Sequence, residues 1–270
     1  LRAIRDATHT VTAPVEALID VSEPYDGFLR HLPASPFLPA VLAACGLPAV
    51  SHGAEAMGPK YGVTHRQILC AAGCNVDLTP PQALLRVADA DTAWAYVDQR
   101  HATPALHALA ELRQLIVKLP AVSTVEGLAC PVRGRARTHL VRGYVHEGYK
   151  TVYSELARRA GFASALVIRG MEGGVVPALN KPASCSGYDA RGAASDYTVD
   201  PARLDIHSGL RAAPLPDVFP RVNARPRPPD DAAVINEALA EAAATAGLNA
   251  LQGEAGPLRD GLIFAGALCL

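Results

Sequence analysis

The chain has 270 residues, half of them apolar, enough for one large domain or one and a half at roughly 100–200 residues per domain. Charged residues are 19%, with 25 Lys+Arg against 26 Asp+Glu, which excludes long disordered or coiled-coil architectures and any global polyanion-binding charge. No apolar run approaches the roughly 20 residues that span a bilayer, so the reading is a non-membrane protein.

Taken in chain order, the sequence opens on Leu1 with neither Met nor an apolar leader, so Leu1 reads as other than the native start. Buried-strand runs are expected at 17–21, 47–50, 92–97, 138–145 and 164–168. Helical patterns lie between them at 37–45, 64–72, 103–117 and 149–160, and late in the chain at 231–246 and 257–270. Strands separated by helices of this size imply crossover connections and a mainly parallel sheet covered on both faces. Thr103-Pro104 supplies a cap and a first-turn proline. Gly73 and Gly161 follow helices where a left-handed residue is needed, and Asp230 and Asp231 would cap the late helix. Segment 183–199 reads as an exposed loop or hairpin, and 221–230 as a proline-rich connector. Cys45, Cys70, Cys74, Cys130, Cys185 and Cys269 lack zinc spacing and read as reduced thiols of a cytoplasmic protein.

In an open parallel sheet, ligands bind beyond the carboxyl ends of the strands. Four expected strands end in polar or glycine-rich turns: Ser22-Glu23-Pro24-Tyr25-Asp26-Gly27, Ser51-His52-Gly53-Ala54-Glu55, His146-Glu147-Gly148-Tyr149, and Arg169-Gly170-Met171-Glu172-Gly173-Gly174. These turns, in this order, resemble the anthranilate phosphoribosyltransferase-like family, whose fold is shared with pyrimidine nucleoside phosphorylases. Gly46-Leu47-Pro48-Ala49-Val50-Ser51-His52-Gly53 looks like the strand into the family's Lys-His-Gly-Asn turn. Lys60-Tyr61-Gly62 is similar to its Lys-Ser-Gly, and Gly256-Pro257-Leu258-Arg259-Asp260 to its Gly-Pro-x-Arg-Asp. The segments at 24–27, 51–67 and 143–146 are similar to a divergent branch of that family.

The resemblance implies an α/β fold with a mostly parallel sheet and a small helical subdomain whose leading part is absent here. Residues 1–83 and 118–270 would form the α/β domain, and 84–117 the interrupting helices. It also implies a homodimer and a catalyst joining a ribosyl phosphate donor to a nitrogen acceptor. Magnesium enters only if a phosphorylated sugar donor is bound.

The chain departs from the pattern where the diphosphate would sit. The family's Gly-Thr-Gly-Gly-Asp corresponds to Ser22-Glu23-Pro24-Tyr25-Asp26: only the aspartate is kept, Pro24 has no N–H, and Glu23 is expected to add a negative charge. The turn lysine and asparagine are replaced by Ser51 and Ala54. The acidic metal pair falls near Val175 and Val176, with Glu172 the nearby carboxylate.

The candidate crevice residues are Asp26, Gly27, His52, Gly53, Lys60, Arg113, His146 and Glu172. Arg113 aligns with an anthranilate-binding arginine. Lys60, His65 and Arg66 could hold a phosphate at a helix start, and His146 with Glu147 could shuttle a proton. Glu172-Gly173-Gly174 resembles an anion-binding turn. Arg133, Arg135, Arg137 and Arg142 could form a basic edge facing a nucleic acid. Arg259 and Asp260 read as an ion pair anchoring the last helix, and Trp94 and Tyr96 as packing residues. Two functions stay open. One is a pentosyl- or phosphoribosyltransferase-like enzyme with a small phosphorylated ligand, inefficient with anthranilate. The other is a non-catalytic nucleotide- or nucleic-acid-binding protein on the same fold.

Overall fold

The computed structural model describes residues 1–116, 121–219 and 229–270. Nine strands follow in order: β1 (Val11–Ala13), β2 (Ala17–Ser22), β3 (Ala49–Gly53), β4 (Trp94–Asp98), β5 (Val132–Gly134), β6 (Arg137–Tyr144), β7 (Ser164–Arg169), β8 (Ala183–Tyr188) and β9 (Ala194–Val199). Seven of them form one sheet in the order β4-β3-β2-β6-β7-β8-β9, while β1 and β5 make a separate parallel pair. The pairs from β4 through β7 are parallel, and β8 and β9 are added antiparallel at one edge. The fold is therefore α/β with a mostly parallel sheet flanked by helices, as the alternating pattern predicts.

Alternation along β2 divides the core. Ile19 and Val21 face a large apolar cluster built with Leu38 and Leu42 of helix Leu38–Ala44 and Leu239 of helix Pro229–Leu251. Phe264 of helix Pro257–Cys269 completes it. Leu18 faces the other way, onto Val50, Ala95, Val97, and Ala83 and Val87 of helix Pro80–Ala88. Helix Gly148–Arg159 covers β6 and β7, packing Ala157 near Leu140 and Phe162.

Several local expectations are met by recognisable chemistry. Thr64 caps helix His65–Ala71 reciprocally with Gln67, through hydrogen bonds of 3.3 and 3.0 Å. Gly73 and Gly161 end their helices at φ +78° and +77°. Segment 183–199 contains a hairpin, β8–β9, that completes the sheet edge. The expected helix over 103–117 is instead two short pieces, Pro104–His107 and Ala110–Ile116, preceded by the separate turn of helix Gln99–Ala102, with Val117 outside the described residues. Pro104 opens the first of the two pieces as the expected first-turn proline, but Thr103, at φ −141°, has its hydroxyl hydrogen-bonded to Thr8 at 3.1 Å rather than capping the helix. Within 84–117, Trp94–Asp98 is a strand of the main sheet, with Tyr96 in the core and Arg86 over the Trp94 ring. Residues 221–228 of the expected connector lie outside the described residues, as do the side chains of Asp230 and Asp231.

Candidate functional site

Parallel register sets the site. Ser22, the last residue of β2, pairs with His52 of β3 on one side and Arg142 of β6 on the other. Asp20 lies two residues back and so shares their face. The sheet thus delivers a carboxylate, a hydroxyl, an imidazole and a guanidinium to one patch at the carboxyl ends of the strands.

Two linked arrangements result. Asp20 Oδ1 accepts from His52 Nε2 at 3.1 Å, and the Tyr25 hydroxyl donates to His52 Nδ1. All three side chains are buried. The carboxylate fixes the imidazole tautomer, so Nδ1 is the acceptor. Burial, and then the Glu126 charge, pushes the Tyr25 phenol well above its usual value. With its proton committed to His52, the Tyr25 oxygen is left to accept. It can take a proton from a ligand while passing its own to His52, whose imidazolium Asp20 would stabilise.

The second arrangement is centred on Arg142, only 4% exposed. Its guanidinium donates to Ser22 Oγ and, at 3.3 Å, to Tyr153 Oη, and lies 4.3 Å from the Tyr153 ring centroid. Ser22 in turn donates to the Gly127 carbonyl at 2.5 Å. Among the described residues no carboxylate lies within ion-pair distance of Arg142, and its Nε has no partner. An unpaired buried charge costs several kcal/mol, so the surrounding fold holds this one against a penalty.

Both arrangements open onto a cavity of about 230 Å³, lined also by Asp26, Lys60, Ser123, Thr124 and His146. That volume suits a single-ring ligand rather than a dinucleotide. Hollows of about 630 and 690 Å³ lie elsewhere, one at the opposite rim beside Leu47 and His139, the other against helix Pro229–Leu251. Neither gathers the strand-end chemistry.

The expected residues divide between cavity wall and internal pairs. Lys60 bridges Asp26 and Glu172, 3.6 Å from each. Burial raises the Asp26 carboxyl, against the opposing pull of Lys60. Glu172, at φ +51°, accepts from the backbone N–H of Leu29 (3.1 Å) and Arg30 (2.8 Å), and pairs with His31 Nδ1 at 3.0 Å. Burial alone would raise its carboxyl, but His31, Lys60 and the Arg30 N–H outweigh that and bring it to about 2. Gly27, at φ +74°, packs against the Gly62 and Val63 carbonyls, where any side chain would collide. Gly53 packs under Tyr96.

Arg113 does not face the cavity as a free cation. It forms a buried two-point ion pair with Glu126, at 2.6 and 2.9 Å, and donates to Ser123. His146 is an exposed wall residue, and Glu147 turns away from it to Lys150 and Arg169. The grouping of Lys60 with His65 and Arg66 is not formed: Arg66 pairs with Glu55, Asp77 and Asp98, and His65 with Ser35. Nor do the four arginines of 133–142 share an edge. Arg133 sits over Phe162, Arg135 pairs with Glu16, and Arg142 is interior. Arg259 and Asp260 do pair, at 3.4 Å.

The expected negative charge at Glu23 is also corrected. The side chain is 2% exposed, accepts from the Val175 N–H at 3.0 Å, and lies 3.9 Å from His65. Burial pushes its carboxyl up to about 8 and the His65 imidazole down to about 3, so both are neutral at pH 7. Val175 and Val176 are buried and offer no oxygen, so the side chains at the family's metal position do not fit magnesium.

Asp20 and Tyr25 were missing from the expected site. An aspartate inside an otherwise apolar strand run was the available signal for the first. Tyr25 carries no such mark, because only the fold brings it to His52.

Comparison with known proteins agrees with the architecture. No protein-family model matches the chain. It is 29% identical over 172 residues to an anthranilate phosphoribosyltransferase of Sphingopyxis alaskensis, covering 64% of this chain and 49% of that one. It is 26% identical over 268 residues to one of Rhodopseudomonas palustris, covering 98% and 70%. The chain thus spans about half the length of the first of these relatives in the matched region. Among solved structures, anthranilate phosphoribosyltransferase of Thermus thermophilus superposes with a TM-score of 0.62 at 20% identity, covering 99% of this chain and 71% of that one. The Saccharomyces cerevisiae enzyme in complex with PRPP and Mg gives 0.58 at 14% identity, covering 99% and 73%.

Proposed function

We propose that this chain, an anthranilate phosphoribosyltransferase-like protein by sequence and fold, takes a small phosphorylated ligand into its strand-end crevice without a metal and is not an efficient anthranilate phosphoribosyltransferase. The observation that carries the proposal is Glu172. Its carboxylate already occupies the adjacent N–H groups of Leu29 and Arg30, which would otherwise be free to bind an anion. Valines stand where metal ligands would be needed. Each charge-assisted contact missing from a diphosphate is worth about 1.5–3 kcal/mol, so three or four missing contacts weaken it by several orders of magnitude.

The test mixes the full chain with anthranilate, a ribosyl diphosphate donor and magnesium. Anthranilate fluorescence stays constant on the proposed reading, and a steady enzyme-dependent fall overturns it. A thermal-shift series with ribose phosphates checks the positive half: melting rises equally in magnesium and in chelator. Product analysis with the best ligand separates binding from turnover.

We also propose that the chain pairs as a homodimer through its helical segment. Leu112 and Leu115 of helix Ala110–Ile116 are 52% and 79% exposed, with Leu109 and Ile116 beside them, an apolar face suited to a second copy. Among the described residues no helix is long and apolar enough to cross a membrane.

A further inference from the structure

We infer that Arg142 is the phosphate-binding cation of the small cavity and that Tyr25 accepts a hydrogen bond from the same ligand, so that the site selects a sugar phosphate with a free hydroxyl. This deepens the proposed reading and rests on it.

Charge accounting singles out Arg142. Lys60 is balanced by Asp26 and Glu172, and Arg113 by Glu126. Among the described residues, Arg142 is the cation on the cavity wall with no acidic partner. Its planar fork is also preorganised. The Tyr153 ring supports one face, Ser22 Oγ and Tyr153 Oη hold two nitrogens, and Nε is left without a partner. Gly127 makes room for it, since a Cβ there would overlap Arg142 Nη1 and Ser22 Oγ. A rigid guanidinium suits the several oxygens of a phosphate. The Ser123 and Thr124 hydroxyls line the same cavity.

Tyr25 supplies the second requirement. It lines the cavity, and its proton is held by His52, which Asp20 orients. What it shows the ligand is an acceptor, which a sugar hydroxyl satisfies and inorganic phosphate alone does not require.

The experiment titrates the full chain by calorimetry, in chelator, with inorganic phosphate, ribose 5-phosphate, ribose and benzoate. Wild type is expected to bind ribose 5-phosphate more tightly than phosphate, and ribose and benzoate far more weakly. R142M lowers affinity for both phosphates about 100-fold. R142K, which keeps the charge and loses the fork, falls between. Y25F leaves inorganic phosphate unchanged and weakens ribose 5-phosphate about fivefold. Ribose 5-phosphate binding that R142M leaves intact overturns the Arg142 assignment while the broader reading stands. If no phosphate binds wild type, the broader reading fails with it. Benzoate binding as tightly as ribose 5-phosphate overturns the choice of phosphate. A crystal structure of wild type with ribose 5-phosphate decides the matter even if the Arg142 variants do not fold: a phosphoryl group placed away from Arg142 sinks the proposal.

Discussion

Glu23 shows how one buried side chain sets the pH response of the molecule. Its folded carboxyl titrates near 8, against 4.5 for the ordinary group. Between those values the native state keeps a proton that the unfolded chain gives up. Its contribution is therefore complete below about pH 4.5 and is lost as pH rises through 8, by about 5 kcal/mol at most. Glu23→Gln keeps an oxygen for the Val175 N–H and cannot ionise. We expect E23Q to melt above wild type at pH 9 and to match it near pH 4, read by thermal denaturation across pH. His65 and Glu172 act on the other limb. His65, lowered to about 3, costs stability as pH falls below its ordinary 6.5. Glu172, held near 2, loses its contribution as pH falls from 4.5 through 2. Between pH 4.5 and 6.5 the Glu23 loss and the His65 gain offset each other, so stability is expected to peak in that mildly acidic range and to fall on either side.

At the scale of elements, the short turn Glu126–Leu128 controls the site from above the strand ends. Gly127 touches both Arg142 and Ser22, so G127A must displace the guanidinium. We expect a loss of about 1–3 kcal/mol of stability, read by urea denaturation, together with weaker phosphate binding in the same protein. G27A acts differently. It combines a left-handed φ with a collision against the Gly62 and Val63 carbonyls and is expected to cost more, since backbone cannot step aside. Elements of this kind also mark how far the sequence could be read. The five parallel strands of the main sheet are legible because each carries a largely buried run next to a helical pattern. The β8–β9 hairpin was read only as a loop or hairpin because β9 is an exposed edge rich in Ser, Asp and Thr, and β1 and β5 are too short to show alternation. Pro104 is the start signal the sequence offers, opening helix Pro104–His107, but continuity to 117 fails because the helix breaks at Ala108–Leu109, where no Pro or Gly marks a stop.

For the whole molecule, what composition could not reveal is which charges cancel. Asp26, Lys60, Arg113 and Glu172 were visible as chemistry-bearing residues, but their mutual pairing is a product of the fold. Arg142 was visible as one of four arginines, and only three-dimensional packing distinguishes it from the exposed Arg135. Quaternary structure follows the same logic of unpaired surface. If the helical face mediates pairing, the double substitution L112D/L115D yields monomers by light scattering with an unchanged circular dichroism spectrum. A monomeric wild type at micromolar concentration removes the dimer.

The tether on Glu172 has one more consequence. Because this carboxylate belongs to the chain, it cannot be diluted or dialysed away from the Leu29 and Arg30 amides, and its local concentration is set by three-dimensional closure rather than by the solution. Any soluble anion arriving at that turn competes with a rival that never leaves. The loop is self-plugged, and selection among visiting molecules passes to the neighbouring chamber.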